Sequence, residues 1–149
     1  MKIAIPKERR AHESRVAASP ETVKKLIAMG AEVSIEKGAG EGAALPDKSF
    51  EEAGASLAPD LETLLEGAEL ILKVQRPIAG GKDDELKLYK SGSYLASIVD
   101  PFRAGKDLQA LADAGVTVFA MDFMPRITRA QSMDVLSSQS NLAGYKAVV

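Results

Sequence analysis

The sequence predicts an α/β domain: an open, mainly parallel sheet with helices on both faces. Three observations carry that expectation. Short runs rich in Val, Ile and Leu alternate with amphipathic stretches along the whole chain, the rhythm that joins parallel strands by right-handed crossovers. One run, Leu70-Ile71-Leu72-Lys73-Val74, is apolar at consecutive positions but for one lysine, as a strand covered on both faces requires. The 149 residues, 46% of them apolar, supply a core of ordinary size.

Lys2 to Ile5 make the first strand, stopped by Pro6, which has no amide to donate to a ladder. Ser19-Pro20-Glu21 predicts a helix start, with a capping hydroxyl, a proline at the first helical position and an acid at the positive end of the dipole. Val23, Leu26 and Ile27 give that helix its apolar stripe, and Gly30 ends it. Glu32 to Ile35 alternate as a second strand, followed by a glycine-rich turn and short helices around Asp47–Ala53 and Asp60–Glu66. Leu70 to Val74 is the third strand. Gln75 to Asp84 is a loop punctuated by Pro77 and Gly80-Gly81, and Glu85 to Lys90 reads as a helix. Tyr94 to Val99 makes a fourth strand, Arg103 to Ala114 a helix, Val116 to Ala120 a fifth strand, and Leu136 to Val149 is helical. Elements in this order build a sheet of the Rossmann-like or flavodoxin-like kind. The chain stops on Ala147-Val148-Val149 with neither a glycine cap nor a polar tail, the ending expected of the first portion of something longer or of a surface covered by a partner.

Composition excludes several functions. Nineteen Lys plus Arg against 21 Asp plus Glu leave a net charge of −2, too balanced for a nucleic-acid binder. There is no cysteine and a single histidine, His12, so neither disulfides, thiolate chemistry nor a metal site is expected. No apolar run approaches a membrane span and no signal peptide opens the chain; a cytoplasmic domain that reaches a membrane only through partners is expected.

Gly38-Ala39-Gly40-Glu41-Gly42-Ala43 has the spacing of a dinucleotide fingerprint, but Pro46 follows too soon for a helix to open there and Glu41 would face a phosphate. It reads as a flexible loop and receives no cofactor. Lys7, Glu8, Arg9, Arg10 and Glu13 read mostly as a solvated charged loop after the first strand. Within it Arg15, among small residues just before the helix cap, has the guanidinium fork that suits a carboxylate or phosphate. Lys73 either snorkels from its strand end or pairs with an acid in a cleft. The richest stretch runs from Met124 to Asn141 and gathers Arg126, Gln131, Asp134 and several hydroxyls at the carboxyl end of the last strand. It reads either as a polar loop with a capped helix, Asp134, Ser137 or Ser138 being the cap, or as a site for a ligand bearing a carboxamide and ribose hydroxyls, which needs donors and acceptors together.

At these residues the chain resembles a known family. Met1 to Glu8 and Glu13-Ser14-Arg15-Val16-Ala17 with Ser19-Pro20 resemble the opening of the alanine dehydrogenase and nicotinamide nucleotide transhydrogenase superfamily. Lys73-Val74-Gln75-Arg76-Pro77 and the Met124 to Tyr145 run are similar to the alpha subunits of proton-translocating NAD(P) transhydrogenases. The resemblance implies a first α/β domain over residues 1–135 and the start of an interdomain helix over 136–149. The second, dinucleotide-binding domain of the family has no counterpart in this sequence. It implies NAD(H) as cofactor, held at its nicotinamide end by Arg126, Ile127, Thr128, Gln131, Ser132, Met133, Asp134, Ser137 and Ser138. Arg126, Asp134 and Ser137 would orient the carboxamide, and Gln131, closest to the chemistry, would reach the ribose at the face that meets an NADP(H)-binding partner. Arg15 and Lys73 match the family's substrate-carboxylate positions. The implied reaction is direct hydride transfer between two nicotinamides, coupled to proton translocation by membrane-spanning partner components at the inner membrane. A homodimer is implied for the complete subunit. Such a transfer needs positioning rather than an acid or base. Alanine dehydrogenase is the alternative, but that family places a histidine where this chain has Leu95-Ala96-Ser97-Ile98-Val99-Asp100. A non-catalytic docking or assembly module is the third reading.

Overall fold

The computed structural model describes residues 1–148. Six strands form one sheet, all parallel, in the order β3-β2-β1-β4-β5-β6. They are β1 (Lys2–Ile5), β2 (Glu32–Glu36), β3 (Ser56–Ala58), β4 (Leu70–Gln75), β5 (Tyr94–Ile98) and β6 (Thr117–Ala120). The helices are α1 (Pro20–Ala28), α2 (Asp47–Glu52), α3 (Leu61–Leu65), α4 (Gly105–Asp113) and α5 (Val135–Val148). The expected fold class holds, and the strand order is that of doubly wound dinucleotide-binding sheets rather than of flavodoxin.

Two cores lie on the two faces. On one, Ile3, Ile5, Val33 and Ile35 meet Val23 of α1 and Phe50 of α2. Phe50 is wholly buried, and cutting it to alanine would cost about 3–5 kcal/mol. On the other face, Ala4, Ile71 and Leu95 meet Leu64 of α3, Leu111 of α4 and Tyr89. The start of α1 follows from its sequence: Ser19 accepts from the Thr22 amide at 3.2 Å and Pro20 opens the first turn. Its end follows too, because Gly30 takes φ +88°, beyond the reach of most side chains.

Three expectations are corrected. The sheet has six strands, not five: Ser56-Leu57-Ala58 carries no β-branched residue, yet it adds to the free edge of β2, pairing Ile35 with Leu57. Glu85 to Lys90 is not a helix. It holds only a single 3₁₀ turn, Leu86–Leu88, because the Glu85 carboxylate is drawn inward and Tyr89 is extended (ψ 133°). Lys7 to Glu13 is not a solvated loop, as the ion pairs below show. The final helix begins at Val135; Val149, the last residue of the expected helix, lies outside the described residues.

The sheet reverses direction of growth between β1 and β4, so the loops leaving their carboxyl ends splay apart and leave a crevice between them. No helix among the described residues is long and apolar enough to cross a membrane.

Candidate functional site

The floor of the crevice is built on carboxylates that cap strand ends. β1 pairs with β4 only as far as Ala4 opposite Ile71. Past that point Glu8 supplies the acceptors, taking the Val74 amide at 2.6 Å and the Gln75 amide at 3.4 Å. Glu36 does the same for β1, accepting from the Lys7 amide at 2.9 Å, and Asp122 for β5, accepting from the Val99 amide at 2.7 Å and the Asp100 amide at 3.2 Å.

Lys73 sits in this floor at 4% exposure, its amine 2.8 Å from Glu85 and 3.7 Å from Glu8. Of the two alternatives read from sequence, pairing is the one adopted. Arg9 binds Glu36 through both terminal nitrogens and approaches Glu85 at 3.7 Å. Three carboxylates, Glu8, Glu36 and Glu85, thus face two cations, Lys73 and Arg9. Burial pushes the Glu8 pKa up, opposed by Lys73 and by its two amide donors. Burial likewise raises the Tyr89 phenol, reinforced by Glu85. The Tyr89 hydroxyl has no hydrogen-bond partner among the described residues.

Above this floor lies a cleft of about 430 Å³. Leu72, Val74, Ala96 and Ile98 form its apolar bed, Arg15 to Ser19 one wall, and Met121, Val135, Ser138 and Gln139 the other. Arg15 is held in a fork-to-fork pair with Glu13, Nε to Oε1 at 2.7 Å and Nη2 to Oε2 at 2.6 Å. That contact holds the Glu13 carboxyl at about 2, well below its usual 4.5, with a further bond from the Gln75 amide helping. The remaining terminal nitrogen of Arg15 donates to Oε1 of Gln139 on α5 at 3.3 Å.

A smaller cavity of about 200 Å³ adjoins the cleft and shares Arg15, Ile98, Met121, Val135 and Gln139 with it. Its polar lining is completed by Arg126, Asp134 and Asp122, its apolar lining by Met124 and Leu136. Asp134 caps α5: Oδ1 accepts from the amides of Leu136 and Ser137 at 3.0 and 3.1 Å, and Oδ2 accepts from the Ser137 hydroxyl at 2.6 Å. The Ser137 contacts lower its pKa. A carboxylate has about four acceptor positions, so three donors leave one for a ligand. Ser137, its proton given to Asp134, keeps its own lone pairs.

The candidate residues do not all converge. Arg126 and Asp134 line the smaller cavity, Ser138 the larger, and Arg15 both. Ile127, Thr128, Gln131, Ser132, Met133 and Ser137 stand exposed or at the rim, outside either cavity. Lys73 also lines the larger cavity, with its amine committed to acids. Gly38 to Ala43 is no flexible loop. Its first amide is held by Asp47 at 2.8 Å, and a side chain on Gly42 would come within 2.7 Å of the Ser14 carbonyl oxygen. Its glycines serve backbone-to-backbone packing.

Asp122 and Gln139 also line these cavities, and Glu85 belongs to the floor beneath them. The position of Asp122 just past β6 is a usable signal, since ligands gather at strand carboxyl ends. Glu85, inside the polar run Lys82 to Glu85, carries none.

Residues 4–143 match the family described as alanine dehydrogenase/PNT, N-terminal domain. The chain is 50% identical over 150 residues to an NAD(P) transhydrogenase subunit alpha polypeptide of Rhodospirillum rubrum, covering all of this chain and 39% of that one. A transhydrogenase structure from Sinorhizobium meliloti superposes with a TM-score of 0.93 at 49% identity, covering 99% of this chain and 43% of that one. An L-alanine dehydrogenase structure superposes with a TM-score of 0.79 at 28% identity, covering 88% and 35%. The chain therefore spans well under half the length of the relatives it matches.

Proposed function

Because the chain belongs to the alanine dehydrogenase/PNT N-terminal domain family, we propose that it is the first portion of the NAD(H)-binding component of an NAD(P) transhydrogenase. On this reading residues 1–135 are the first α/β domain and 136–149 begin the helix toward a second, dinucleotide-binding domain. The full enzyme would pass hydride directly between NAD(H) and NADP(H), the latter on a partner component, and membrane-spanning partners would couple that transfer to proton movement. The complete subunit would be a dimer on the cytoplasmic side of the inner membrane.

One observation carries the proposal: the lining of the cavity beside Asp134 combines polar groups of both signs with the apolar side chains of Ile98, Met121 and Met124. A flat ring with one carboxamide asks for that combination. Arg126, exposed and without an ion pair among the described residues, would donate to the carboxamide oxygen. The fourth acceptor position of Asp134 would take an N–H, and Ser137 would accept from the other. Thr128, Gln131 and Ser132, on the exposed 3₁₀ segment Thr128–Met133, would reach toward the ribose and the partner, with Ile127 and Met133 offering apolar contact there. Bound NAD(H) supplies the hydride chemistry; these residues hold the ring and exclude water.

An alanine dehydrogenase activity is less well supported. Lys73 would have to leave Glu85 and Glu8 to meet a substrate carboxylate.

The test pairs Arg126→Leu with Asp134→Leu in the assembled enzyme. Transhydrogenation by Arg126→Leu should fall about ten- to hundredfold in kcat/KM, the scale of one lost charge-assisted hydrogen bond, and Asp134→Leu should also fall. Urea unfolding of the Arg126 variant should stay at the parent midpoint. Undiminished transfer in both variants would refute the assignment.

A further inference from the structure

Residues 123–148 are tied to the rest of the molecule by very little. At one end, Asp122 fastens the start of the segment to the end of β5 through the amides of Val99 and Asp100. It holds Asp100 at φ +50°, a conformation side chains avoid. At the other end, Gln139 on α5 receives the Arg15 guanidinium. Between these points the hydrogen bonds among the described residues are local: Met124 to Met121, Ile127 to Pro125, Ala130 to Ile127, Asp134 to Gln131 and Ser138 to Asp134 along the backbone, and through side chains Asp134 with Leu136 and Ser137, and Ser138 with Val135. Packing adds restraint at two points, the buried Ala130 and the edge-on contact of Phe123 with Phe102, whereas α5 buries no residue and Leu136, Leu142 and Tyr145 are exposed.

Arg15 is the fixed post. Glu13 grips it twice and is itself tied to Gln75 of β4. The one remaining terminal nitrogen is directed at α5 rather than left free in the cleft.

We propose that Asp122 and Gln139 are positioning residues, which suspend the Arg126–Ser138 segment across the mouth of the cleft, and that Arg15 serves this chain by holding Gln139. The proposal rests on the reading of that segment as the nicotinamide site. It adds that two residues in the lining of the site, Asp122 and Gln139, act by placing the segment rather than by binding the ring. A segment moored at its ends keeps Asp134 within hydrogen-bond reach of a ring only while both moorings hold, and misplacement of about 1 Å is enough to lose much of a transfer rate.

Amide hydrogen exchange of the full chain tests the anchors without reference to activity. Gln139→Leu should speed exchange of the α5 amides about two- to tenfold, the worth of one exposed hydrogen bond, and leave β1 and β4 unchanged. Gln139→Glu, which offers Arg15 a charged acceptor, should protect α5 at least as well as glutamine does. Asp122→Asn, with one acceptor for two amides, should expose Asp100 to exchange. Unchanged α5 exchange in Gln139→Leu overturns the proposal. In the assembled transhydrogenase, Gln139→Leu should raise the KM for NADH and Gln139→Glu should restore it. If exchange responds and KM does not, the anchors stand and the nicotinamide reading falls. If KM responds while exchange does not, Gln139 meets the ligand directly and the positioning proposal falls.

Discussion

The exits of β1 and β4 and the segment from Arg126 to Ser138 carry similar residues and use them in opposite ways. Below the cleft, Glu8, Arg9, Glu36, Lys73 and Glu85 are turned inward and matched to one another or to backbone amides. Along the segment, Arg126, Thr128, Gln131 and Ser132 stand in solvent with no side-chain partner among the described residues, and Asp134 keeps one acceptor position open. The first region is closed chemistry, in which every charge has a structural task. In the second, hydrogen-bonding capacity is left over. Polarity alone does not mark a site; unfilled polarity on a moored scaffold does.

The sharpest way to break this contrast is Lys73→Met. It leaves Glu8, Glu36 and Glu85 facing Arg9 alone, and an uncompensated buried charge costs about 3–5 kcal/mol. Urea unfolding should show that loss, and Glu85→Gln added to Lys73→Met should recover some of it. A parent-like midpoint would mean that the floor is no more structural than the segment above it, where Arg126→Leu is expected to be silent in the same assay.

Acid titration sharpens the comparison between neighbours. The Glu13 pKa is depressed from 4.5 to about 2 by Arg15, so its contribution is complete above 4.5 and is lost as pH falls toward 2. Glu8 is raised by burial, so its ionised form is a cost, and that cost is relieved as pH falls through its raised value. Thermal midpoints of the parent and of Glu13→Gln, followed from pH 5 to 2, should converge at the acid end, because the variant has no such contribution to lose. Parallel curves would show that the Arg15 fork does not hold Glu13 in solution.

The smallest effect concerns the β5 mooring. Asp100→Gly relieves the φ +50° backbone while keeping the amide that Asp122 accepts. Stability should rise by about 0.5 kcal/mol, or about 1–2 °C in Tm. A fall would show that the Asp100 side chain contributes more than its backbone strain costs.

Much of the scaffold is legible in the sequence because local rules act alone there. Ser19-Pro20 and Gly30 bracket α1, and the apolar run at Leu70 has the pattern of a buried strand. β3 is hidden because Ser56-Leu57-Ala58 is a strand only by virtue of the β2 edge beside it. The same holds for the site. Arg15, Lys73, Arg126 and Asp134 are visible as charges in suggestive places. Their division into matched and unmatched groups depends on Glu85, 12 residues from Lys73, and on Gln139, 124 residues from Arg15, separations no local pattern encodes. Glu8 and Glu13 read as solvated for the same reason, since their partners Val74 and Gln75 lie on another strand.

The carboxylates at the strand ends have one more consequence. Free amides at the carboxyl edge of a parallel sheet are natural seats for phosphate. Here the amides of Lys7, Val74, Ile78 and Val99 are already answered by Glu36, Glu8, Glu85 and Asp122. A diphosphate drifting toward these strand tips would find its donors occupied and its own sign of charge waiting, whereas an uncharged ring would meet no such opposition. On the proposed reading, this edge would disfavour the diphosphate of a dinucleotide and leave the cleft to its ring.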